Sequence, residues 1–205
     1  MIEGYEERIR RGEADAVYEV SHFFSGDGPV PQSLRRVTGK LEALGIPYAV
    51  AGGMALNAHG YLRATVDVDI LVTQEGLDKI HQLLEGLGYL PPFQGSKQLR
   101  DTESGVKVEF LVAGQYPGDG KPKPVVFQDP AKVSVVIRGV RYVSLETLLE
   151  MKLASGMSNS TRMKDLSDVQ EVIKQLELPK AFSDRLNPYV REEYLRIWSA
   201  THPTG

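Results

Sequence analysis

Asp67 and Asp69 stand two residues apart inside the apolar run 65–72, which is typical of a β-strand. Because side chains alternate along a strand, both carboxylates leave the same face. The apolar residues between them then point into a core, namely Val66, Val68 and Ile70. Adjacent carboxylates repel each other unless a cation lies between them, and Mg²⁺ is usually held by one or two carboxylates together with substrate phosphates. The spacing therefore predicts a metal site, with a solvated strand edge as the alternative.

A glycine pair precedes these acids. The apolar run 48–51 predicts a buried strand, after which Gly52 and Gly53 let the backbone approach a ligand because no Cβ stands in the way. Residues 54–59 indicate one or two helical turns, which end at Gly60. Free backbone N–H groups and the positive helix end suit phosphates, so a metal site and a phosphate cradle are predicted in one strand–helix–strand unit.

The same segment resembles a known signature. Gly52-Gly53 followed by Arg63-Ala-Thr-Val-Asp67-Val-Asp69 is similar to the motif of the nucleotidyltransferase superfamily of the DNA polymerase beta type. Within that superfamily, G-G-x-A-L-x-x-H-G-x-x-R-x-T-x-D-x-D resembles the abortive-infection toxin-like nucleotidyltransferases. The specific part spans residues 48–72, and a weaker match extends to about residue 175. The resemblance implies an α/β (α+β) fold, in which helices flank a mixed β-sheet and extra helices lie at both termini.

A third acid lies on a later strand. In residues 105–112, Lys107, Glu109 and Leu111 share one face, so Glu109 interrupts an otherwise apolar segment. An outward-facing glutamate is the ordinary alternative. The resemblance implies a third metal carboxylate on a strand of this form, which would be Glu109, and it implies Mg²⁺ or Mn²⁺ as the cofactor.

Several cations and acids are further candidates for contacts with the nucleotide. Arg63 can add charge-assisted contacts to phosphates. Lys152 lies near the apolar seam of a helix, where it either snorkels to solvent or, as the resemblance implies, contacts phosphates. The pattern R-x-K-D-x-x-D resembles the toxin-type subgroup and implies that its K-D pair approaches the site, with a plain Lys164–Asp168 helix ion pair as the alternative. The pattern begins at Arg162, and its predicted site residues are Lys164, Asp165 and Asp168.

The composition excludes several classes of protein. The chain has 205 residues, of which 41% are hydrophobic and 25% are charged, as in ordinary globular proteins. It has no cysteine, which excludes disulfides, thiolate nucleophiles and zinc–sulfur sites. The N-terminus lacks a signal-peptide pattern and no apolar stretch is long enough to span a membrane, so a cytoplasmic protein is expected. The net charge of −3 leaves nucleic-acid contact to a local patch, for which the basic stretch 119–141 is a candidate.

The hydrophobic periodicity gives the expected elements. Helices are predicted over 2–24, 32–44, 74–87, 144–154, 162–173, 180–186 and 188–199. Besides the two strands already described, hairpins are predicted over 97–112 and 132–143. The expected organisation is an N-terminal helical appendage (1–30), a nucleotidyltransferase core (31–143) and a C-terminal helical region packed on the core (144–205).

The expected reaction moves a nucleoside monophosphate from a nucleoside triphosphate (NTP) to a hydroxyl acceptor. The acceptor is a tRNA, a protein or a small molecule, and a toxin with a cognate antitoxin is one biological role that the resemblance implies. Two alternatives remain open: a catalytically silent binding partner with the same fold, and an NTP-dependent phosphotransferase.

Overall fold

The computed structural model describes residues 3–12 and 16–202 of the chain. The α-helices are α1 (Tyr5–Arg11), α2 (Ala16–Ser25), α3 (Pro29–Ala43), α4 (Gly52–Ala58), α5 (Gln74–Leu84), α6 (Pro130–Val133), α7 (Leu145–Ser158), α8 (Met163–Gln175) and α9 (Pro188–Thr201). The strands are β1 (Tyr48–Val50), β2 (Asp67–Val72), β3 (Tyr89–Leu90), β4 (Gln98–Asp101), β5 (Lys107–Val112), β6 (Ser134–Ile137) and β7 (Val140–Val143). Short 3₁₀ helices cover Ser160–Arg162 and Lys180–Arg185.

The strands β1 to β7 form one mixed sheet in the order β3-β4-β5-β2-β1-β7-β6. β2 runs parallel to β5 and β1 runs parallel to β7, while the other neighbours are antiparallel. The predicted α/β fold with a mixed sheet and flanking helices is confirmed, as are both predicted hairpins. β2 and β5 lie side by side in the middle of the sheet, although α5, β3 and β4 separate them in the sequence.

One buried apolar cluster contains residues of the sheet and of the helices that precede, connect and follow its strands. Ile70 in β2 and Phe110 in β5 are almost fully buried, and so are Val37 in α3 and Val169 in α8. α7 contacts α4, α8 and α9, so the C-terminal helices extend the core next to the glycine pair. The division of the chain at residues 30 and 143 remains a prediction.

The N-terminal helix α1 is fastened to the β4–β5 hairpin. The backbone N–H of Tyr5 donates to the carbonyl of Gly105 at 3.0 Å, and Arg8 donates to the carbonyl of Ser104 at 2.7 Å. Arg100 in β4 forms a two-pronged ion pair with Glu6. Such bidentate arginine–carboxylate pairs are the stronger and more geometrically specific kind, so α1 is held against the hairpin by more than apolar contact.

Some predicted boundaries were wrong. The helix predicted over 2–24 is two helices, since α1 ends at Arg11 and Gly12, with φ +71°, caps it. Residues 2 and 13–15 of that prediction lie outside the described residues. α3 begins at Pro29 and not at residue 32, because proline is tolerated in the first helical turn. β2 begins at Asp67, and Val66, which was expected in the core, is 39% exposed. α5 ends at Leu84, and the short edge strand β3 was missed.

None of the described helices is both long enough and apolar enough to cross a membrane.

Candidate active site

The three predicted carboxylates meet where β2 and β5 lie side by side. In the parallel register, Asp69 is opposite Glu109 and Asp67 is opposite Lys107. The residues between them face the other way and are fully buried, for example Val68 and Val108. The period of two therefore brings all three carboxylates to one face, where they line a cavity of about 930 Å³.

The environment of Asp69 is strongly unfavourable to its negative charge. Burial, followed by repulsion from Asp67 and Glu109, raises the pKa of Asp69 to about 7. Lys152 and Lys107 act in the opposite direction and do not cancel these effects. The raised pKa therefore reflects first the burial of this carboxyl group and second the two neighbouring acids, whose charge the lysines do not fully offset.

Neighbouring side chains orient the other two carboxylates. The hydroxyl of Thr65 donates to Asp67 Oδ1 at 2.7 Å. Lys107 Nζ lies 3.1 Å from Glu109 Oε2 and 3.4 Å from Asp67 Oδ2. Burial lowers the pKa of Lys107, but attraction to Glu109 and the hydrogen bond to it prevail and raise that pKa. Lys107 is thus a charged ammonium group between two of the acids.

These residues fit a hard divalent cation by the chemistry of their donors. All three side chains supply carboxylate oxygens, which Mg²⁺ and Mn²⁺ prefer, and the raised pKa of Asp69 shows that added positive charge would be favourable there. In the described part of the chain, no three acidic or histidine side chains converge closely enough to form a ready-made metal cage. Lys107 lies between Asp67 and Glu109, so small side-chain movements must accompany binding of a metal ion.

The glycine pair lies against the carboxylates. Gly52 has φ +57°, and a Cβ at this position would lie 1.7 Å from Asp69 Oδ2, which no side chain tolerates. A Cβ on Gly53 would lie 2.8 Å from the Cβ of Thr65. Both glycines begin α4, where no side chain caps the first turn, and both line the cavity. The backbone at this turn is therefore close enough to the acids for a ligand to contact both.

Asn57, which no pattern in the sequence singles out, holds the segment that carries Arg63. Its side-chain amide donates to the carbonyls of Gly53 and Arg63, and its oxygen accepts from the backbone N–H of Arg63 at 2.9 Å. Arg63 thereby lines the cavity beside the glycine pair, and its Nε lies 3.1 Å from Asp168 Oδ1.

Lys152 is the centre of a buried ion cluster. Its Nζ donates to Asp165 at 2.9 Å and to Asp168 at 2.7 Å, and only 7% of the residue is exposed. The snorkelling alternative is therefore wrong. Burial raises the pKa of Asp165, but Lys152 and the hydroxyl of Ser155 more than offset this effect and hold that pKa below its usual value. The cluster ties α7 to α8 and places a fixed positive charge at the wall of the cavity.

Lys164 lines the cavity. The alternative of a helix ion pair between Lys164 and Asp168 is wrong, because Asp168 pairs with Lys152 and Arg63. Two further exposed cations line the cavity: Arg162, which begins the R-x-K-D-x-x-D pattern, and Lys97, which the sequence analysis did not single out. The basic stretch 119–141 contributes no cation to the cavity lining. Its Lys123, for example, is used within the loop, where it donates to the carbonyl of Pro117 and to Asp119.

Replacing Gly52 by alanine tests the close approach at the glycine pair. The added methyl group collides with the Asp69 carboxylate, and alanine is strained at φ +57°, so we expect a loss of roughly 2–4 kcal/mol in the free energy of unfolding. Gly39→Ala, inside α3 with no atom within 4 Å of the added Cβ, is the matched control and should be neutral or stabilising by up to about 1 kcal/mol. Urea unfolding of the two variants makes the comparison. Equal stabilities would show that Gly52 is not sterically required.

Asp69→Asn tests the electrostatics of the metal-free protein. The pKa of Asp69 is about 7 in the folded state, above its unfolded value, so the folded protein binds the proton more tightly. The resulting contribution to the free energy of unfolding is complete below about pH 4 and is lost as the pH rises through 7. Asparagine removes the buried charge, so the variant should be more stable than the parent in chelator at pH 8, by on the order of 1–3 kcal/mol. This gain should shrink towards pH 5, where a proton neutralises Asp69.

The measurement is thermal unfolding in chelator at pH 5, 6.5 and 8. Asp78→Asn, on the exposed side of α5, is the control and should change the melting temperature little at any of the three values. A destabilised Asp69→Asn protein at pH 8 would contradict the assignment of repulsion and burial as the dominant effects.

The chain is similar to known proteins in fold and, over most of its length, in sequence. No functionally curated protein matches the chain significantly. Among solved structures, the antibiotic-resistance factor ANT(2″)-Ia in complex with adenylyl-2″-tobramycin superposes with a TM-score of 0.51 at 13% identity, covering 83% of this chain and 95% of that one. A Thermotoga maritima protein assigned as a nucleotidyltransferase gives a TM-score of 0.49 at 19% identity, covering 65% and 88%. An antigenic nucleotidyltransferase-like protein from Paracoccidioides brasiliensis gives 0.48 at 18% identity, covering 82% and 85%.

The sequence itself matches a family model described as uncharacterised nucleotidyltransferase over residues 30–196. This match spans most of the chain and includes the glycine pair, the three carboxylates and the α7–α8 ion cluster. It confirms the predicted superfamily, whereas the narrower likeness to abortive-infection toxin-like members remains a prediction. The chain belongs to the family of uncharacterised nucleotidyltransferases.

Proposed function

We propose that this nucleotidyltransferase moves a nucleoside monophosphate from an NTP to a hydroxyl acceptor in a reaction that depends on Mg²⁺ or Mn²⁺. The observation that carries the proposal is the convergence of Asp67, Asp69 and Glu109 on one face of two paired strands, beside the glycine pair and a cavity of about 930 Å³. A face with three carboxylates disfavours folding on electrostatic grounds, and a divalent cation offsets that repulsion and can in turn bind the phosphates of an NTP.

The proposed transfer breaks one bond and forms one. The acceptor oxygen attacks the α-phosphorus, the bond to the β-phosphate oxygen breaks, and pyrophosphate leaves. Glu109 is proposed to take the proton of the acceptor hydroxyl or to lower the pKa of that hydroxyl, and its position opposite Asp69 supports this role. A divalent ion held by Asp67 and Asp69 would supply the positive charge that offsets the developing charge on the phosphate oxygens, and Glu109 would complete a second metal position.

The remaining site residues would bind the triphosphate. Backbone N–H groups at Gly52 and Gly53 are proposed to contact phosphate oxygens, since both residues line the cavity and neither carries a Cβ. Arg63 and Lys152 add fixed positive charge, and their pairing with Asp168 holds both of them in place. Asp165 and Asp168 are therefore proposed to act on the nucleotide through Lys152 and Arg63.

The charge of the cavity favours an anionic acceptor. Its exposed cations are Lys97, Arg162 and Lys164, and none of them forms an ion pair with a described residue. The acids of the cavity are already engaged, since Asp165 pairs with Lys152 and the other three are assigned to the metal. A polyanion such as the end of a tRNA fits this surface better than a polycationic small molecule. The toxin role and a cognate antitoxin remain predictions from the resemblance.

The reaction class is tested with radiolabelled nucleotides. The protein is incubated with each NTP labelled at the α- or the γ-phosphate, together with Mg²⁺ and a cell extract or total tRNA. Transfer of α-label alone is the expected result, and Asp67→Asn combined with Asp69→Asn should abolish it. Transfer of γ-label would identify a phosphotransferase, and no transfer of either label from any NTP would favour a silent binding partner.

Glu109→Gln separates the role of Glu109 from that of the two aspartates. Glutamine keeps the size of the side chain but cannot accept the proton, so NTP affinity should stay nearly unchanged while the single-turnover rate falls by about 10²–10⁴-fold. Loss of Asp67 or Asp69 should damage affinity and rate together. Glu103→Gln, at the turn of the same hairpin and outside the cavity, is the control. A wild-type rate in Glu109→Gln would remove Glu109 from the proposed mechanism.

A further inference from the structure

Lys107 occupies an unusual position for a cation in this site. The parallel register of β2 and β5 makes a square of four side chains on one face, in which Asp67 is opposite Lys107 and Asp69 is opposite Glu109. The ammonium group bridges the strands, at 3.4 Å from Asp67 Oδ2 and 3.1 Å from Glu109 Oε2. It is half-buried and lines the cavity, so it is close both to the acids and to any ligand that enters.

A lysine ammonium and a divalent cation compete for the same carboxylate oxygens. An ion that binds Asp67 and Glu109 repels the ammonium at short range, and repulsion is strong where water is partly excluded. Lys107 therefore has to leave its present position when these carboxylates bind a metal. Its four-carbon stem is flexible enough to carry the charge to a new anionic partner within the cavity.

We propose that Lys107 is a tethered counter-cation, which neutralises Asp67 and Glu109 in the free protein and transfers to the triphosphate when metal and nucleotide bind. This inference rests on the metal site of the proposed function. Its consequence is thermodynamic coupling: metal alone binds weakly because it must displace Lys107, whereas metal with an NTP binds strongly because the triphosphate accepts the displaced ammonium. The lysine thus biases the site towards the metal–nucleotide complex and against the free ion.

A purely structural role makes a different prediction. If Lys107 only fastened β2 to β5, its removal would lower stability and leave the affinity for metal unchanged or reduced. As a counter-cation, its removal leaves three carboxylates without their competitor, so the affinity for the free ion rises. Metal binding in the absence of nucleotide therefore separates the two roles, without any measurement of activity.

The experiment is a titration of the nucleotide-free protein with Mn²⁺, in which the free ion is counted by electron paramagnetic resonance. Lys107→Met keeps an unbranched side chain, one atom shorter than that of lysine, and removes the charge, and we expect the affinity of the variant for Mn²⁺ to rise about tenfold. Lys97→Met removes an exposed cation from the same cavity, where Lys97 contacts the amide oxygen of Gln115 and no carboxylate, and should stay within about twofold of the parent. Lys107→Arg keeps the charge and should also stay near the parent.

A second titration measures the coupling. The α,β-methylene analogues of ATP and GTP, which cannot release pyrophosphate, should raise the affinity of the parent protein for Mn²⁺ by a larger factor than that of Lys107→Met. Equal factors in the two proteins, or an unchanged or reduced affinity of folded Lys107→Met for Mn²⁺ alone, would overturn the proposal.

Labelling of the unaltered protein keeps the test independent of how the variants fold. An amine-reactive ester, read by mass spectrometry, should modify Lys107 slowly in chelator, faster with saturating Mn²⁺, and slowly again when an α,β-methylene analogue is added. Reactivity that does not respond to Mn²⁺ would show that the ammonium is not displaced. If the parent and the Asp67→Asn/Asp69→Asn protein bind Mn²⁺ equally, the metal site itself is wrong, which distinguishes that failure from the failure of Lys107 alone.

Discussion

Repulsion among three carboxylates on one face of two paired strands is the constraint on which the rest of the structure depends. Asp67, Asp69 and Glu109 cannot relax away from one another, because the alternate residues of both strands are anchored in the core. Because side chains alternate along a strand, each buried apolar residue forces the acidic residue next to it in sequence to point to the opposite face. The apolar core thus supplies the free energy that keeps an unfavourable charge arrangement in place, as expected at a functional site.

The compensation for this charge comes from elements that are distant in sequence. Lys107 lies next to the acids on β5, while Lys152 lies on α7 and is itself fixed by two aspartates of α8. Donation to two carboxylates offsets the cost of burying the Lys152 ammonium group. The helices after the sheet therefore contribute charges to the site as well as packing against the core.

The parts of this design that depend on local chain chemistry could be predicted from the sequence. The period of two placed Asp67 and Asp69 together and grouped Glu109 with Lys107, and the helical periodicity located α7 and α8 to within a few residues. The parallel pairing of β2 with β5 could not be derived from local pattern, because it depends on how the whole sheet assembles. The partners of Asp168 were missed for the same reason: the i, i+4 rule suggested Lys164, but tertiary contact supplied Lys152 and Arg63.

The glycine pair shows how the requirements of the chain and of the site coincide at one position. Gly52 adopts a positive φ to turn the chain from β1 into α4, and that turn brings its Cα so near Asp69 that no side chain fits between them. The absence of a Cβ leaves backbone and carboxylate facing the same cavity, within reach of a single ligand. A triphosphate with its cation carries both the negative charge that a helix start attracts and the positive charge that the acids require. The two halves of the site are thus complementary to one charged ligand, and neither half is fully compensated without it.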